Sequence, residues 1–315
     1  MTNLSSFASL VVSLGCVAIA LNACVQPSSD SSSALSQTDS AMVQSPTVQS
    51  PVSSPVESRE AVTRVVALSS LSADILHRLD SSVLVGISGS SLFANDARFA
   101  ELPTVSSGRT PPNLEAIVAL EPDLVVGVSG FHDQALQALE DMGIDTLTTN
   151  VNSWDGLIEL TETLARAIAA DPSSLLEYYA SLLPPASHQQ GSTLVLVSQQ
   201  PILSPNQTSW AGDLLQRFNA NNLASELQGS GPFSGYVTLS PEKVLEANPD
   251  RLILVDPEDS NLEQLKAQPF WNQLKAVQND QVHTLNYYGL VNPGSIEAIE
   301  QACRQLQQLL DIPSS

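Results

Sequence analysis

Apolar positions along this chain alternate between two periods from Arg64 onwards. Short β-branched runs such as Val65-Val-Ala-Leu-Ser69 have the composition of buried strands, whereas Asp133 to Met142 repeats apolar residues at helical spacing. Segments of the two kinds follow one another through both halves of the chain. This order predicts an α/β fold in which helices cover parallel sheets and the loops at the carboxyl ends of the strands are free to bind a ligand.

One helix-and-strand unit occurs twice. Asn113–Val126 reads NLEAIVALEPDLVV, and Ser240–Ile253 reads SPEKVLEANPDRLI. Aligned without a gap, each unit begins on a helix-capping residue, has a glutamate two positions later, and breaks at Pro-Asp before an apolar run. The repeat predicts two similar lobes, each of which presents one glutamate, Glu115 or Glu242, at the start of an equivalent helix.

Two helices are predicted between the α/β halves. The first is capped at Asn152 or Ser153, the second runs from Ser173 to Leu183, and Asp171-Pro172 interrupts them. We therefore expect two Rossmann-like lobes with parallel sheets, joined by a bridging helix, and a ligand cleft between the lobes. The predicted boundaries are 61–152 for the N-terminal lobe, 153–191 for the bridging helices and 192–315 for the C-terminal lobe.

The first sixty residues differ from the rest. Phe7 to Val25 is apolar except for Ser and one Asn, and it ends on Leu21-Asn-Ala-Cys24, which resembles a bacterial lipobox. This predicts a lipoprotein signal peptide over 1–23 and lipidation of Cys24. Because Met1 to Ser6 contains no Lys or Arg, an uncleaved anchor is the alternative. Residues 24–60 are rich in Ser, Pro and Gln, which predicts a disordered tether behind a periplasmic, membrane-held protein.

Charge and motif content exclude several classes of function. The 33 acidic and 12 basic residues give a formal net charge of -21, which repels phosphate backbones, so no nucleic-acid partner is expected. The three cysteines and four histidines show no metal-ligand spacing. The sequence contains no P-loop, GxGxxG, GxSxG or HExxH. We therefore expect neither an enzyme nor a resident metal or cofactor.

Candidate ligand contacts come from the loops that follow the predicted strands. These loops combine Ser, Gly and aromatic residues, which offer hydroxyl groups, close backbone approach and apolar faces. Arg109 is the only base among them. For the aromatic residues, packing in the core of a lobe is the alternative, and for His132 it is a solvated surface position. The predicted ligand-binding residues are Ser70, Ser90, Phe93, Arg109, Ser129, Phe131, His132, Gln199, Trp210, Tyr236, Tyr287 and Tyr288.

Several separated motifs resemble the substrate-binding proteins of ABC importers for ferric siderophores and cobalamin. They are Arg64-Val-Val-Ala-Leu-Ser69, Leu102-Pro-Thr-Val105, the two repeat units, and Phe270-Trp-Asn-Gln-Leu-Lys-Ala-Val277 with Val282. The resemblance covers about residues 62–310. It implies two lobes bridged by a long helix, with a ligand held between them and little hinge motion.

The same resemblance implies a role for the repeated glutamates. In the family, the matching residues pair with arginines on the two transmembrane subunits of the permease, and here they are Glu115 and Glu242. A carboxylate accepts two hydrogen bonds from an arginine, which fixes orientation as well as charge. A glutamate in a first helical turn is also favoured by the helix dipole alone, by about 0.3–1 kcal/mol. The interrupted bridge leaves the rigidity of the lobes an expectation.

The ligand remains open between two classes. A single loop arginine suits a hydroxamate or mixed ferric siderophore, or neutral cobalamin, better than a highly charged ferric catecholate. Because Tyr287 to Ser295 resembles the siderophore branch, capture of a ferric siderophore is the main expectation and cobalamin is the alternative. A cleft enzyme or a ligand-sensing module on the same fold is the alternative from a different class.

Overall fold

Two parallel sheets organise the part of the chain that the structure describes. The computed structural model describes residues 61–107, 110–185, 191–199, 201–229, 234–256 and 262–311, all within the unit Ser58–Ser315. The predicted signal peptide, Cys24, the predicted tether and Arg109 therefore lie outside the described residues. Among the helices that the structure describes, none has the length and apolarity needed to cross a membrane.

The first sheet contains five parallel strands in the described residues, and we call it and its helices the first lobe. Its strands are β1 (Val65–Ala67), β2 (Leu84–Ser88), β3 (Thr104–Ser106), β4 (Leu124–Val128) and β5 (Asp145–Thr149). Its helices are α1 (Ser70–Asp80), α2 (Leu114–Ala119) and α3 (Asp133–Asp141). The strand order is β3-β2-β1-β4-β5. The chain therefore reverses direction across the sheet at β1, where doubly wound sheets open a crevice for ligands.

Two helices connect this lobe to the rest of the described chain. They are α4 (Trp154–Ala167) and α5 (Ser173–Leu182). Ser153 caps α4, because its side chain accepts a hydrogen bond from the Gly156 N–H at 3.1 Å. The first helix ends two residues before its predicted end at Ala169, and the second ends one residue before its predicted end at Leu183.

The second lobe combines a parallel and an antiparallel sheet. Its strands are β6 (Ser192–Leu196), β7 (Ser198–Gln199), β8 (Ile202–Pro205), β9 (Asn221–Asn222), β10 (Tyr236–Leu239), β11 (Arg251–Asp256) and β12 (Val282–Asn286). Its helices are α6 (Trp210–Arg217), α7 (Pro241–Ala247), α8 (Leu262–Lys266), α9 (Lys275–Gln278), α10 (Tyr287–Leu290) and α11 (Ile296–Leu309). The parallel sheet has the order β12-β11-β6-β9, and the antiparallel one has the order β10-β8-β7.

The predicted fold class, two α/β lobes built on parallel sheets, is confirmed. The antiparallel sheet was not predicted. Its strands β7 and β8 span two and four residues, too few to show a periodic pattern, and β10 pairs with β8 from more than thirty positions away. Such pairing depends on contacts that are distant along the chain, so local pattern does not reveal it.

One apolar core extends through both lobes. It includes Val65 of the first sheet, Leu164 of α4, Ile253 of the second sheet and Leu306 of α11. Parallel strands are covered on both faces, and here the bridging helices and α11 supply part of that cover. Any movement between the lobes would expose apolar surface, which costs a free energy of about 25 cal/mol per Å². The shared core therefore favours one arrangement of the two lobes.

The two repeat units have the same local structure. Asn113 caps α2 and Ser240 caps α7, each through a side-chain oxygen that accepts a backbone N–H three residues later. Each helix then ends on a residue in the left-handed conformation, Glu121 with φ of 47° and Asn248 with φ of 40°. A proline follows in both units. Equivalent positions therefore share backbone conformation as well as sequence.

The aspartate of each Pro-Asp pair ties two parallel strands together at their amino ends. Asp123 Oδ2 accepts hydrogen bonds from the N–H of Thr63 at 2.9 Å and of Arg64 at 3.0 Å, next to β1. Asp250 Oδ2 accepts from the N–H and hydroxyl of Ser192 at 2.9 and 2.7 Å, at the start of β6. The two lobes thus use the same strand clamp, with an added Lys275 ion pair on Asp250.

The hydrogen bonds to Asp123 and Asp250 predict that part of the free energy of unfolding is lost in acid. Hydrogen bonds from Thr63 lower the pKa of Asp123, and bonds from Lys275 and Ser192 lower the pKa of Asp250 to about 2. Because both pKa values are lower in the folded state, this stabilisation is complete above the unfolded value of about 4 and is lost as pH falls towards about 2. Urea unfolding between pH 7 and pH 2 measures it. Asp250→Asn should be less stable at pH 7 and should lose less stability below pH 5 than the wild type.

The first-lobe variant Asp123→Asn provides the matched comparison. It removes the equivalent carboxylate without the lysine, so the same change in slope should be seen with a smaller amplitude. An unchanged slope in both variants would show that the clamps do not carry the acid sensitivity.

Candidate functional site

A cavity of about 860 Å³ lies between the two lobes, at the carboxyl ends of their parallel strands. We call it the interlobe cavity. In the first lobe its walls follow β1, β2, β3, β4 and β5, and in the second lobe they follow β6 and β12, with single residues from α4, β8 and β10. The described lining residues are Leu68 to Ser72, Ser88 to Ser91, Ser107, Val128, Phe131, His132, Thr149 to Val151, Leu160, Val197, Leu203, Tyr236, Tyr287, Tyr288 and Val291 to Gly294.

The wall of the cavity combines polar and apolar residues and carries no charged side chain among the described ones. None of the described lining residues is Lys, Arg, Asp or Glu. No group of three or more His, Cys, Asp or Glu within the described ranges has the geometry to hold a metal ion. The volume is within the range usual for small-molecule sites. The arrangement therefore suits a ligand of low net charge that is held by hydroxyl groups and apolar contact.

Serine hydroxyls line the first-lobe wall because helices begin there. Ser69 Oγ accepts the Ser72 N–H at 3.2 Å and so caps α1, and Ser90 Oγ accepts the Leu92 N–H at 3.3 Å. The N-terminus of α1 faces this edge of the sheet, where its dipole supplies a partial positive charge. The wall thus offers hydrogen-bond partners and a weak positive potential without a basic side chain.

Three tyrosines form the second-lobe wall. The rings of Tyr287 and Tyr288 meet edge to face, with centroids 5.4 Å apart. Burial raises the pKa of Tyr236, and nearby Tyr287 adds to the shift, so this phenol keeps its proton at physiological pH. Each tyrosine hydroxyl can donate one hydrogen bond, and each ring offers an aromatic face.

A glycine fixes the bend that presents these tyrosines. Gly289 has φ of 91°, and a Cβ at this position would lie 2.0 Å from the carbonyl oxygen of Ala298. Its own carbonyl accepts the indole N–H of Trp210 at 2.7 Å. The backbone after β12 is therefore held in a conformation that only glycine adopts without strain.

His132 contributes a neutral imidazole to the first-lobe wall. Its Nδ1 accepts the backbone N–H of Val128 at 2.9 Å, so the proton of the neutral ring is on Nε2. Burial lowers the pKa of His132, partly opposed by the Asp133 carboxylate. The ring is thus available as a hydrogen-bond donor through Nε2 rather than as a cation.

Phe131 is displayed at the mouth of the cavity. Its side chain is 84% exposed although it also lines the cavity. The surrounding turn is hydrogen-bonded, since the Asp133 carboxylate accepts the Gly130 N–H at 3.0 Å and Val128 O accepts the His132 N–H at 3.0 Å. A well-ordered turn that exposes a large aromatic ring offers a preformed contact surface.

Of the twelve predicted ligand residues, seven line the described cavity, Phe93, Ser129 and Trp210 do not, and Arg109 and the side chain of Gln199 lie outside the description. The seven are Ser70, Ser90, Phe131, His132, Tyr236, Tyr287 and Tyr288. Exposed Ser129 lies beside the described wall but not on it, Gln199 is in β7 with a side chain outside the description, and Arg109 is outside the described residues altogether.

Phe93 and Trp210 lie in the apolar core instead of the cavity wall. Phe93 is 9% exposed and stacks on Phe99 with centroids 3.9 Å apart. Trp210 is 3% exposed, and its indole N–H is already bonded to Gly289. The alternative stated for the aromatic residues, packing in the core, therefore applies to both. Each ring packs against another aromatic ring, inside its own lobe or at the boundary between the lobes.

The predicted set omits several polar lining residues, among them Thr149, Asn150 and Asn292. Thr149 is the last residue of β5 and Asn150 follows it; the strand was predicted, but the loop after it was not considered. Thr149 Oγ1 donates to the carbonyl of Gly127 at 2.9 Å, so it also joins β5 to β4. The rule that ligands meet the carboxyl ends of parallel strands would have identified Thr149 and Asn150.

The repeated glutamates lie on exposed surface, in the first turns of α2 and α7. Neither forms a salt bridge with a described Lys or Arg. A hydrogen bond from the Ser240 hydroxyl lowers the pKa of Glu242, which is therefore ionised at physiological pH. Each lobe thus presents a carboxylate to solvent at an equivalent position.

Comparisons with known proteins agree with this architecture. The chain is 27% identical over 222 residues to a cobalamin-binding protein of Halobacterium salinarum, which covers 64% of this chain and spans 58% of that protein. It is 25% identical over 219 residues to an iron-uptake system-binding protein of Bacillus subtilis, covering 62% and 67%. An ABC transporter substrate-binding protein from Listeria monocytogenes superposes with a TM-score of 0.65 at 20% identity, covering 79% of this chain and 98% of that one.

A family model provides the assignment. The model described as periplasmic binding protein matches residues 65–288, which includes both lobes, the bridging helices and most of the cavity wall. The match covers well over half of the chain. This chain belongs to the periplasmic binding protein family.

Proposed function

We propose that this chain is the extracytoplasmic substrate-binding protein of an ABC importer, and that it captures a ferric siderophore and delivers it to a membrane permease. The observation that carries the proposal is the uncharged cavity of about 860 Å³ between the lobes. Family membership supports a binding role rather than catalysis, and it implies an extracytoplasmic location.

The chemistry of the cavity supports a ligand of low net charge. Its described wall offers serine hydroxyls, tyrosine hydroxyls and the imidazole of His132, all of which can bind oxygen-rich chelates through hydrogen bonds without charge pairing. In a protein of net charge -21, an anionic catecholate complex would meet long-range repulsion with little compensation from the described wall. A hydroxamate or mixed chelate avoids that cost, and the iron arrives already coordinated.

Cobalamin is the second candidate. It is supported by the name of the Halobacterium salinarum relative and by the same lack of charged groups in the described wall. Phe131 and the three tyrosines would then contact the corrin ring through their aromatic faces.

We propose that Glu115 and Glu242 dock the protein onto its permease. Both carboxylates are exposed and begin equivalent helices, one in each lobe. Two matching carboxylates suit a partner with two similar subunits, each offering an arginine, because bidentate Arg–carboxylate pairs fix orientation.

We also propose that lipidation of Cys24 holds the protein on the membrane. The support is the Leu21-Asn-Ala-Cys24 sequence behind an apolar segment and the Ser/Pro-rich stretch that follows it. In this arrangement 1–23 is removed and 24–60 tethers the N-terminal lobe (61–152), the bridging helices (153–191) and the C-terminal lobe (192–315).

Ligand class is tested by calorimetric titration of the purified protein with four probes: ferrioxamine, ferric citrate, a ferric tris-catecholate and cyanocobalamin. Ferrioxamine should bind with micromolar or tighter affinity, and the catecholate at least about tenfold more weakly, which is ~1.4 kcal/mol. Tyr288→Ala should weaken ferrioxamine binding, whereas Tyr178→Ala, on α5 outside the cavity, should not. Tight binding of cyanocobalamin alone would select the second candidate, and binding of no probe would refute both.

Docking is tested by reversing both charges. Glu115→Arg with Glu242→Arg should leave ferrioxamine affinity unchanged and abolish uptake of ⁵⁵Fe-ferrioxamine by cells that carry the variant in place of the wild type, because like charges would then meet at the permease. The control pair Glu159→Arg and Glu177→Arg makes the same charge change on exposed positions of the bridging helices and should transport normally. Uptake that survives the first pair would remove the docking assignment.

Lipidation is tested by metabolic labelling with a clickable fatty acid. The wild type and Cys16→Ala should carry the label in the membrane fraction, whereas Cys24→Ala should be unlabelled. A wild-type protein that is membrane-bound, unlabelled and still carries residues 1–23 would instead establish the uncleaved anchor.

A further inference from the structure

A buried carboxylate links the two lobes behind the cavity wall. Asp74 lies in the middle of α1 and is 0% exposed. Its oxygens accept hydrogen bonds from Arg98 Nη1 at 2.8 Å, from Arg78 Nε at 3.2 Å and from the backbone N–H of Ile296 at 2.8 Å. A charge taken out of water persists only where it is paired and hydrogen-bonded, and these three donors meet that requirement.

The bond to Ile296 crosses from the first lobe to the second. Ile296 is the first residue of α11, and its N–H is one of those that a helix leaves without an internal partner. The Ser295 side chain accepts the Ala298 N–H at 3.2 Å, and Asp74 accepts the Ile296 N–H beside it. The amino end of a second-lobe helix is thus held by a first-lobe carboxylate, in the orientation that the helix dipole favours.

The chain immediately before α11 forms the cavity wall. Tyr287, Tyr288 and Val291–Gly294 line the cavity, and only Ser295 separates this segment from Ile296. The backbone is tightly packed there, since a Cβ on Gly294 would lie 2.6 Å from Leu92 Cδ1 and 2.8 Å from Tyr288 Cδ1. The position of Ile296 therefore determines the position of the cavity wall that contains Tyr287 and Tyr288.

The same carboxylate also holds the facing edge of the first lobe. Arg98 donates to Asp74 and, through Nε and Nη2, to Asp96 at 3.1 and 2.7 Å. Its guanidinium lies 5.1 Å from the centre of the Phe99 ring. This arginine fixes the segment that starts at the cavity-lining residues Ser90 and Ser91. Asp74 thus connects two walls of the cavity that belong to different lobes.

We propose that Asp74 is a positioning residue for ligand binding, which sets the distance between the Tyr287–Gly294 wall and the Ser90–Ser91 edge. The proposal rests on the proposed function, since it assigns Asp74 to the same cavity. Asp74 acts through Ile296 and Arg98 and does not line the cavity itself. This positioning role explains why a carboxylate with no access to solvent lies at the boundary between the lobes.

The experiment compares Asp74→Asn with Arg78→Gln in the full chain. Asparagine keeps the size of the side chain but removes the charge that holds Arg98 and the α11 terminus. Arg78→Gln removes a contact to the same carboxylate that is made within α1, between residues four positions apart. Affinity for ferrioxamine is measured by calorimetry, and hydrogen exchange is followed by mass spectrometry of peptides.

Asp74→Asn should bind ferrioxamine about tenfold more weakly, and exchange should rise in peptides covering 287–299 while those covering α4 stay protected. Arg78→Gln should show neither change. Arg98→Gln, whose side chain is partly exposed, should weaken binding without increased exchange in 287–299, and it keeps the proposal testable if Asp74→Asn does not fold.

A merely structural role predicts a different result. Exchange would then rise throughout the molecule, unfolding would become easier, and the folded fraction of Asp74→Asn would bind ferrioxamine as the wild type does. That outcome would overturn the proposal. If the wild type itself binds none of the four probes, the proposed function fails, and the exchange in 287–299 alone decides whether Asp74 holds the wall.

Discussion

The indole of Trp154 lies at the seam between the two lobes, and the arrangement of the protein depends on how it packs. It is 1% exposed, it stacks on Trp210 with centroids 6.0 Å apart, and it meets Tyr179 edge to face at 6.3 Å. Its backbone N–H donates to Asp213 Oδ2 at 2.8 Å. One residue at the start of α4 therefore contacts the second-lobe helix α6 and the other bridging helix, α5.

This packing compensates for the break in the bridge. Helix α4 ends at Ala167 and α5 begins after Asp171-Pro172, but Thr161 Oγ1 and the Tyr179 hydroxyl are 3.1 Å apart and join the two helices inside the core. The cavity at one end of the seam and the Asp74 network beside it are thus built on a shared apolar interior instead of a flexible hinge. An apolar interior resists shear because its side chains interlock at high density.

The features that could be predicted from the sequence are those that are local. Caps, apolar periods and the Pro-Asp breaks predict the longer helices and most strands, but not the short helices α8, α9 and α10. The ungapped repeat predicts the two equivalent carboxylates. Trp210 and Asp74 show why the remaining features could not be predicted from the sequence. Whether an indole lines a cavity or fills a core depends on Gly289, and whether an aspartate in a helix is solvated or buried depends on Ile296, 222 positions away. Local pattern carries no information on such pairs.

The left-handed residues that follow the two repeat helices differ in how readily their side chains permit positive φ. Asn248 adopts positive φ readily, whereas Glu121 holds the same conformation with a side chain that disfavours it. The second lobe thus indicates a substitution for the first lobe. Asparagine at position 121 would relieve backbone strain of order 1 kcal/mol. The two repeat units can be compared as two aligned sequences. A residue that suits a position in one lobe then indicates a stabilising substitution at the equivalent position of the other.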